Sequence, residues 1–139
     1  MIIEKSVMAV VICNNKILTT HEIIYGDLKI ALPKGHLESG ESLIDCAIRE
    51  TFEEANIVIN YNHFYKELSN FQIKFKNHQD EEVSKTIVPL LFFINEEGNP
   101  QPKEERMTKV EYLGIEEFLA YCSYDNVRVV IEEARKYIK

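Results

Sequence analysis

The sequence predicts an α+β domain, on three observations. Runs rich in β-branched and aromatic residues fill both halves of the chain, a segment between them has helical periodicity, and a second amphipathic stretch closes it. No internal repeat, low-complexity tract or Gly/Ser/Pro linker divides residues 1–139, so one domain is expected. At 139 residues, 45% hydrophobic and 28% charged, the chain is long enough to bury one core without staples.

Taken in order, Val7–Ile12 is a β-rich run with little alternation, the pattern of a strand buried on both faces. Asn14-Asn15 supplies turn chemistry, and Lys16–Thr20 returns as its hairpin partner. Ile23–Tyr25 and Lys29–Leu32 flank Gly26-Asp27 as a second hairpin. Pro33–His36 reads as a loop, and Glu41–Ala55 as a helix. Strand-like runs follow at Val58–Ile59, Phe71–Phe75 and Thr86–Ile94. Pro89 cannot donate to a ladder, so the last of these is expected at an edge or with a bulge. Lys109–Leu113 predicts a short strand, Ile115–Tyr121 a short helix and Asn126–Ile138 a terminal amphipathic helix.

Charge narrows the function classes. Sixteen Lys and Arg against twenty-three Asp and Glu leave −7, which argues against a duplex nucleic-acid binder needing a basic face. A small phosphate-rich ligand remains compatible, because bound divalent cations could supply positive charge. No leader pattern or membrane-length apolar run is present, and Cys13, Cys46 and Cys122 have no CxxC spacing. A cytoplasmic protein with reduced cysteines and no membrane partner is expected, with no disulfide framework or zinc site.

The informative stretch is Gly35–Ile57. On a helical wheel with Glu50 at 0°, Glu54 falls near 40° and Glu53 near 300°, so three carboxylates form one stripe. Ile44, Ala47, Ile48, Thr51, Phe52 and Ala55 spread over roughly 60° to 200°, the expected core face. Like charges at these spacings each cost a helix about 0.2–0.5 kcal/mol. Arg49, four residues before Glu53, offsets part of that, and a bound cation would account for the stripe. Carboxylates without His or Cys at matching spacing favour Mg²⁺ or Mn²⁺ over Zn²⁺.

Gly35, five residues, Glu41, seven residues, then Arg49-Glu50-Thr51-Phe52-Glu53-Glu54-Ala55-Asn56-Ile57 resembles the signature of the Nudix hydrolases. Thr51 stands where an aliphatic residue is usual, and little consequence is expected of it. Asn56 replaces a glycine that ends the helix, at a position expected to be left-handed, where Asn is the best substitute. The resemblance implies a mixed sheet between helices, an α/β/α sandwich with a loop–helix–loop catalytic motif. It also implies metal-dependent attack of water on a phosphorus of a nucleoside diphosphate linked to another moiety. Carried onto this chain, Glu50 and Glu54 are the main metal ligands, and Glu53 a further ligand or the general base. Glu41 and Arg49 orient these carboxylates, and the Lys34 carbonyl completes the coordination. One more Glu is expected from a late loop, with Glu105 and Glu104 both legible.

Within the family, Pro33–His36 with Lys85-Thr86 and Tyr112–Glu117 looks most like the asymmetric bis(5'-nucleosyl)-tetraphosphatases and the related diphosphoinositol-polyphosphate branch. This implies an aromatic that stacks on a base, among Tyr65, Phe71 and Phe75, and cations for the phosphates, among Lys34, His36, Lys74, Lys76 and Lys85. Alternatives are removal of pyrophosphate from an RNA 5′ end, or another nucleotide house-cleaning reaction. A non-enzymatic nucleotide sensor is a further alternative, though such domains typically lose signature glutamates that Glu41, Glu50, Glu53 and Glu54 retain here.

Overall fold

The computed structural model describes residues 1–138. Eight strands form one mixed sheet: β1 (Ile2–Cys13), β2 (Lys16–Ile24), β3 (Asp27–Ala31), β4 (Lys34–His36), β5 (Phe64–Glu67), β6 (Phe71–Lys76), β7 (Glu82–Ile94) and β8 (Met107–Gly114). Among the described residues three α-helices accompany it: α1 (Leu43–Ala55), α2 (Ile115–Tyr121) and α3 (Asp125–Arg135).

β1 is the axis, as its unbroken apolar run predicts. It lies parallel to β7 from Ile2↔Val83 to Cys13↔Ile94. Its other edge is shared between β2, at Ile12↔Ile17, and β4, at Ser6↔His36 to Met8↔Lys34. Alternate side chains serve two cores, because successive strand residues point to opposite faces. Met8, Val10 and Ile12 pack with Phe118, Val127 and Ile131 under α2 and α3. Val7, Ala9 and Val11 pack with Cys46, Ala47 and Ala55 under α1. The sheet is thus filled between helices, the predicted α+β sandwich.

Several local expectations need correction. Pro33–His36 is not wholly loop: Lys34–His36 adds a strand to β1, too short and glycine-interrupted to show a period. Val58–Ile59 forms no strand, although Ile59 is buried, while Phe64–Glu67 does. β7 starts at Glu82 and lies inside the sheet despite Pro89. The Pro89 carbonyl accepts from the Leu68 N–H, so its ring nitrogen faces the same way, into the gap between β5 and β6 where no ladder bond is needed. α1 begins at Leu43 behind Ser42, whose Oγ accepts from the Asp45 N–H at 3.0 Å. Among the described residues no helix is long and apolar enough to cross a membrane.

Candidate active site

α1 is rotated away from the wheel's expectation. Its buried residues are Cys46, Ala47, Glu50, Thr51, Glu54 and Ala55, whereas Phe52 is exposed beneath the Lys103 ammonium. The carboxylate stripe is therefore turned into the protein, against β4. Gly35 permits this: a Cβ there would overlap the Glu50 carboxylate. The glycine of the spacing pattern is a close-approach glycine, leaving room for a charged group.

Two features hold the arrangement. The Arg49 guanidinium grips Glu41 with two bonds, Nε to Oε2 at 2.7 Å and Nη2 to Oε1 at 3.0 Å. It also donates to Glu50 Oε1 at 2.7 Å, Glu53 Oε2 at 3.2 Å and the His36 carbonyl at 3.0 Å. The Arg49 bonds, aided by the Glu38 N–H, hold the Glu41 carboxyl down at about 2. Second, the Lys34 N–H donates to Glu54 Oε1 at 3.2 Å. Because N–H and C=O of one strand residue point to the same edge, the Lys34 carbonyl faces α1 as well.

Burial pushes the carboxyls of Glu50 and Glu54 above their ordinary range, and the charge of Glu50 adds to the rise at Glu54. Glu53 is the exposed member, turned toward Arg49. At the helix end Asn56 is left-handed, φ 62° and ψ 28°, as its place in the signature predicts, and its Nδ2 donates to the Asn99 carbonyl at 3.0 Å.

A second arginine meets the stripe from the far end of the chain. Arg106 donates from Nη2 to Glu54 Oε2 at 3.0 Å, pairs with Glu104 at 2.7 Å and pairs with the buried Glu22. Beside it lies a groove of about 570 Å³ bordered by β6, β7 and α3. Ile73 pairs directly with Lys85, and the Lys85 ammonium stands 5.6 Å over the Phe75 ring, so Phe71, Phe75 and Lys85 share one face with Lys34 at the end nearest Gly35.

The sequence pattern of the NUDIX domain family matches residues 4–133. The chain belongs to the NUDIX family. Membership brings the class of enzyme with it, a hydrolase acting on phosphorus anhydrides. The chain is 27% identical over 110 residues to the bis(5'-nucleosyl)-tetraphosphatase [asymmetrical] of Sus scrofa, covering 76% of this chain and 69% of that one. It is 38% identical over 61 residues to the phosphatase NudJ of Escherichia coli K12, covering 44% of this chain and 40% of that one. The match therefore spans about two fifths of NudJ. Among solved structures, the NUDIX domain of Shewanella oneidensis NrtR, complexed with ADP ribose, superposes with a TM-score of 0.80 at 16% identity, covering 100% of this chain and 90% of that one.

On this Nudix fold the structure brings Glu41, Arg49, Glu50, Glu53, Glu54 and Lys34 together, and sets Phe75, Lys85 and His36 near them. His36 is exposed, 3.9 Å from Glu4. Lys74 borders the groove, but it pairs with Ser84, one residue out of step with Ile73 and Lys85; the pleat puts its side chain on the opposite face, and that of Lys76 with it. Tyr65 is remote, packed on Phe93 and Tyr137. Glu105 is exposed, and the late-loop carboxylate facing the stripe is Glu104. Arg106 and Glu22 escape sequence reasoning. The one available signal was Glu22 itself, a charge in register with the buried Leu18 and Thr20.

Proposed function

We propose that this Nudix hydrolase is a divalent-metal-dependent pyrophosphohydrolase that cleaves dinucleoside polyphosphates away from their midpoint. The observation that carries the metal-dependent chemistry is the buried Glu50–Glu54 pair, held at the Lys34 edge of β4 by Gly35 and by the Arg49 fork. Two carboxylates out of water, the charge of Glu50 raising Glu54, are stabilised by a cation. The donor set is all oxygen, which fits Mg²⁺ or Mn²⁺. Glu50, Glu54 and the Lys34 carbonyl would hold such an ion. Glu53 joins them only by leaving Arg49; among the described residues no three His, Cys, Asp or Glu side chains are gathered as a finished shell. Bound there, the ion would neutralise the pyrophosphate and lower the pKa of a water.

The chain's own groups supply the rest. Lys34 and Lys85 bind phosphate oxygens at the catalytic end of the groove. Arg49 keeps Glu41, Glu50 and Glu53 in fixed rotamers, which positions the reacting groups. Glu53, exposed on the stripe, takes the proton of the attacking water. The new P–O bond forms at one phosphorus, the anhydride P–O bond breaks, and the leaving phosphate departs as an anion.

The substrate reading rests on the porcine tetraphosphatase likeness and on the groove, where Phe71 and Phe75 offer faces for a base beside the phosphate-binding lysines. A panel of dinucleoside polyphosphates, ADP-ribose and 5′-triphosphorylated RNA, assayed with Mg²⁺ and with EDTA, tests it. Diadenosine tetraphosphate should give ATP and AMP, and chelation should abolish turnover. Two ADP as product, or preferred turnover of ADP-ribose or RNA, overturns the substrate; activity that survives exhaustive chelation overturns the metal.

A further inference from the structure

We propose that Arg106 is a displaceable counter-ion: it neutralises Glu54 in the metal-free protein and, when Glu54 is engaged by a divalent cation, turns to a phosphate of the substrate beside Lys34. This rests on the reading of Glu54 as a metal ligand.

The backbone at Arg106 is fixed while its side chain is not. The β2–β8 ladder slips between His21↔Lys109 and Glu22↔Met107, a bulge that brings Glu22 and Arg106 to the same end of the sheet as Glu54. The Arg106 carbonyl accepts from the Ile23 N–H at 2.9 Å, and the Met107 N–H donates to the Glu104 carbonyl at 2.9 Å. The side chain is 43% exposed. It serves three carboxylates, so Glu22 and Glu104 remain as its pivot if Glu54 is released.

The geometry also supplies a destination. Arg106 lines a pocket with Ser6, Lys34, Gly35, His36 and Lys85, where four further cationic or polar side chains border one space. A guanidinium is the side chain best shaped for two parallel bonds to a phosphate. The charge balance favours exchange: one positive group among three carboxylates leaves the cluster attractive to a dication. Only the arginine end of this pair is exposed; the Glu54 carboxylate is buried, so release is cheap only because the incoming cation leaves no bare charge behind.

The test compares wild type with Arg106→Gln and Arg106→Lys in Mn²⁺ affinity without substrate, read from electron paramagnetic resonance of the free ion. The melting temperature in EDTA and the separate KM and kcat values with Mg²⁺ complete it. Arg106→Gln should bind Mn²⁺ about three- to tenfold more tightly and melt lower in EDTA, since the competitor and the counter-ion are the same group. Its KM should rise about tenfold with kcat changed by less than about threefold. Arg106→Lys keeps the charge but cannot bridge the cluster; it too should bind Mn²⁺ more tightly than wild type, with a smaller change in KM. If Arg106→Lys matches wild type in Mn²⁺ affinity, charge at a distance explains the Gln variant and displacement is overturned. Unchanged or weaker Mn²⁺ binding in both variants overturns it too, leaving the metal site standing, and an unchanged KM overturns the phosphate step. Failure of wild type to bind Mn²⁺, or binding by Glu54→Gln as tight as wild type, removes the metal reading itself and the proposal with it.

Discussion

Two arginines manage the same acidic stripe in different ways. Arg49 comes from within α1 and is 24% exposed; it grips Glu41 bidentately and ties helix, preceding loop and β4 into one unit. Arg106 arrives from the turn just before β8, is nearly half exposed, and touches Glu54 with a single nitrogen. The first has geometry that is costly to break; the second has contacts cheap to exchange. On the proposed reading, a site that must be both rigid and able to admit cations needs each kind: a permanent clamp on the rotamers and a temporary neutraliser of charge.

The largest expected effect tests the rigid half. Gly35→Ala puts a methyl where the Glu50 carboxylate lies, so Glu50 must leave its position under Arg49. Displacing a reacting group by about 1 Å costs on the order of 10²-fold in rate, so kcat should fall at least that far while the far-ultraviolet circular dichroism stays native. Near-normal turnover would mean that the close approach is not functional.

Next comes the contrast itself. Arg49→Lys retains charge but loses the fork on Glu41 and cannot also reach Glu50 and Glu53; about 2–3 kcal/mol of stability should go, read by urea melts. Arg106→Lys in the same assay should lose no more than about 1 kcal/mol. Equal losses would erase the distinction drawn between the two.

The pH dependence sharpens it further. The Glu41 carboxyl is held at about 2 in the folded state by Arg49, below its unfolded value of roughly 4.3. A depressed carboxyl stabilises the fold fully above the unfolded value and gives that stability up as pH falls through the folded one. Wild type should therefore lose stability between about pH 4.5 and 2, and Glu41→Gln should be less stable near neutrality with a shallower fall over that window. Parallel curves for the two proteins would contradict the clamp.

The smallest effect concerns the neighbour of Glu50. Thr51 Oγ1 is buried and finds no hydrogen-bond partner among the described residues. Thr51 stands where the signature usually has an aliphatic residue, a departure from which little consequence is expected. Thr51→Val keeps the shape and removes the orphan hydroxyl, so the protein should gain about 1 kcal/mol with unchanged kcat. A loss instead would show that the hydroxyl is satisfied in solution.

How much could be read in advance follows from where the partners lie in the chain. The Arg49 unit is local, contained in Gly35–Glu54, so spacing disclosed the Arg49–Glu53 pair and the resemblance to the family signature disclosed the rest, together with the left-handed Asn56 just beyond it. The Arg106 unit joins Glu22, Glu54 and Arg106, and a lone Glu and a lone Arg that far apart carry no spacing to read. The wheel misplaced Phe52 because apolarity was taken to define the buried arc, whereas Gly35 lets α1 bury two carboxylates and leave the ring outside under Lys103. Glu105 was as legible as Glu104, and only the turn before β8 distinguishes them. β4 was missed for want of length, and the interior place of β7 because the missing Pro89 donor falls into a gap no local pattern announces.

The β1–β7 pairing has a consequence during synthesis. Ile2 meets Val83 and Cys13 meets Ile94, so each residue of β1 waits about eighty residues for its partner. At roughly 5–20 residues per second that is some 4–16 s on the ribosome, during which an apolar segment meant for burial on both faces has neither its parallel neighbour nor α3 to cover it. Non-local pairing of this kind also makes refolding slow. The nascent chain is thus most exposed to aggregation, and most in need of a chaperone, before β7 emerges.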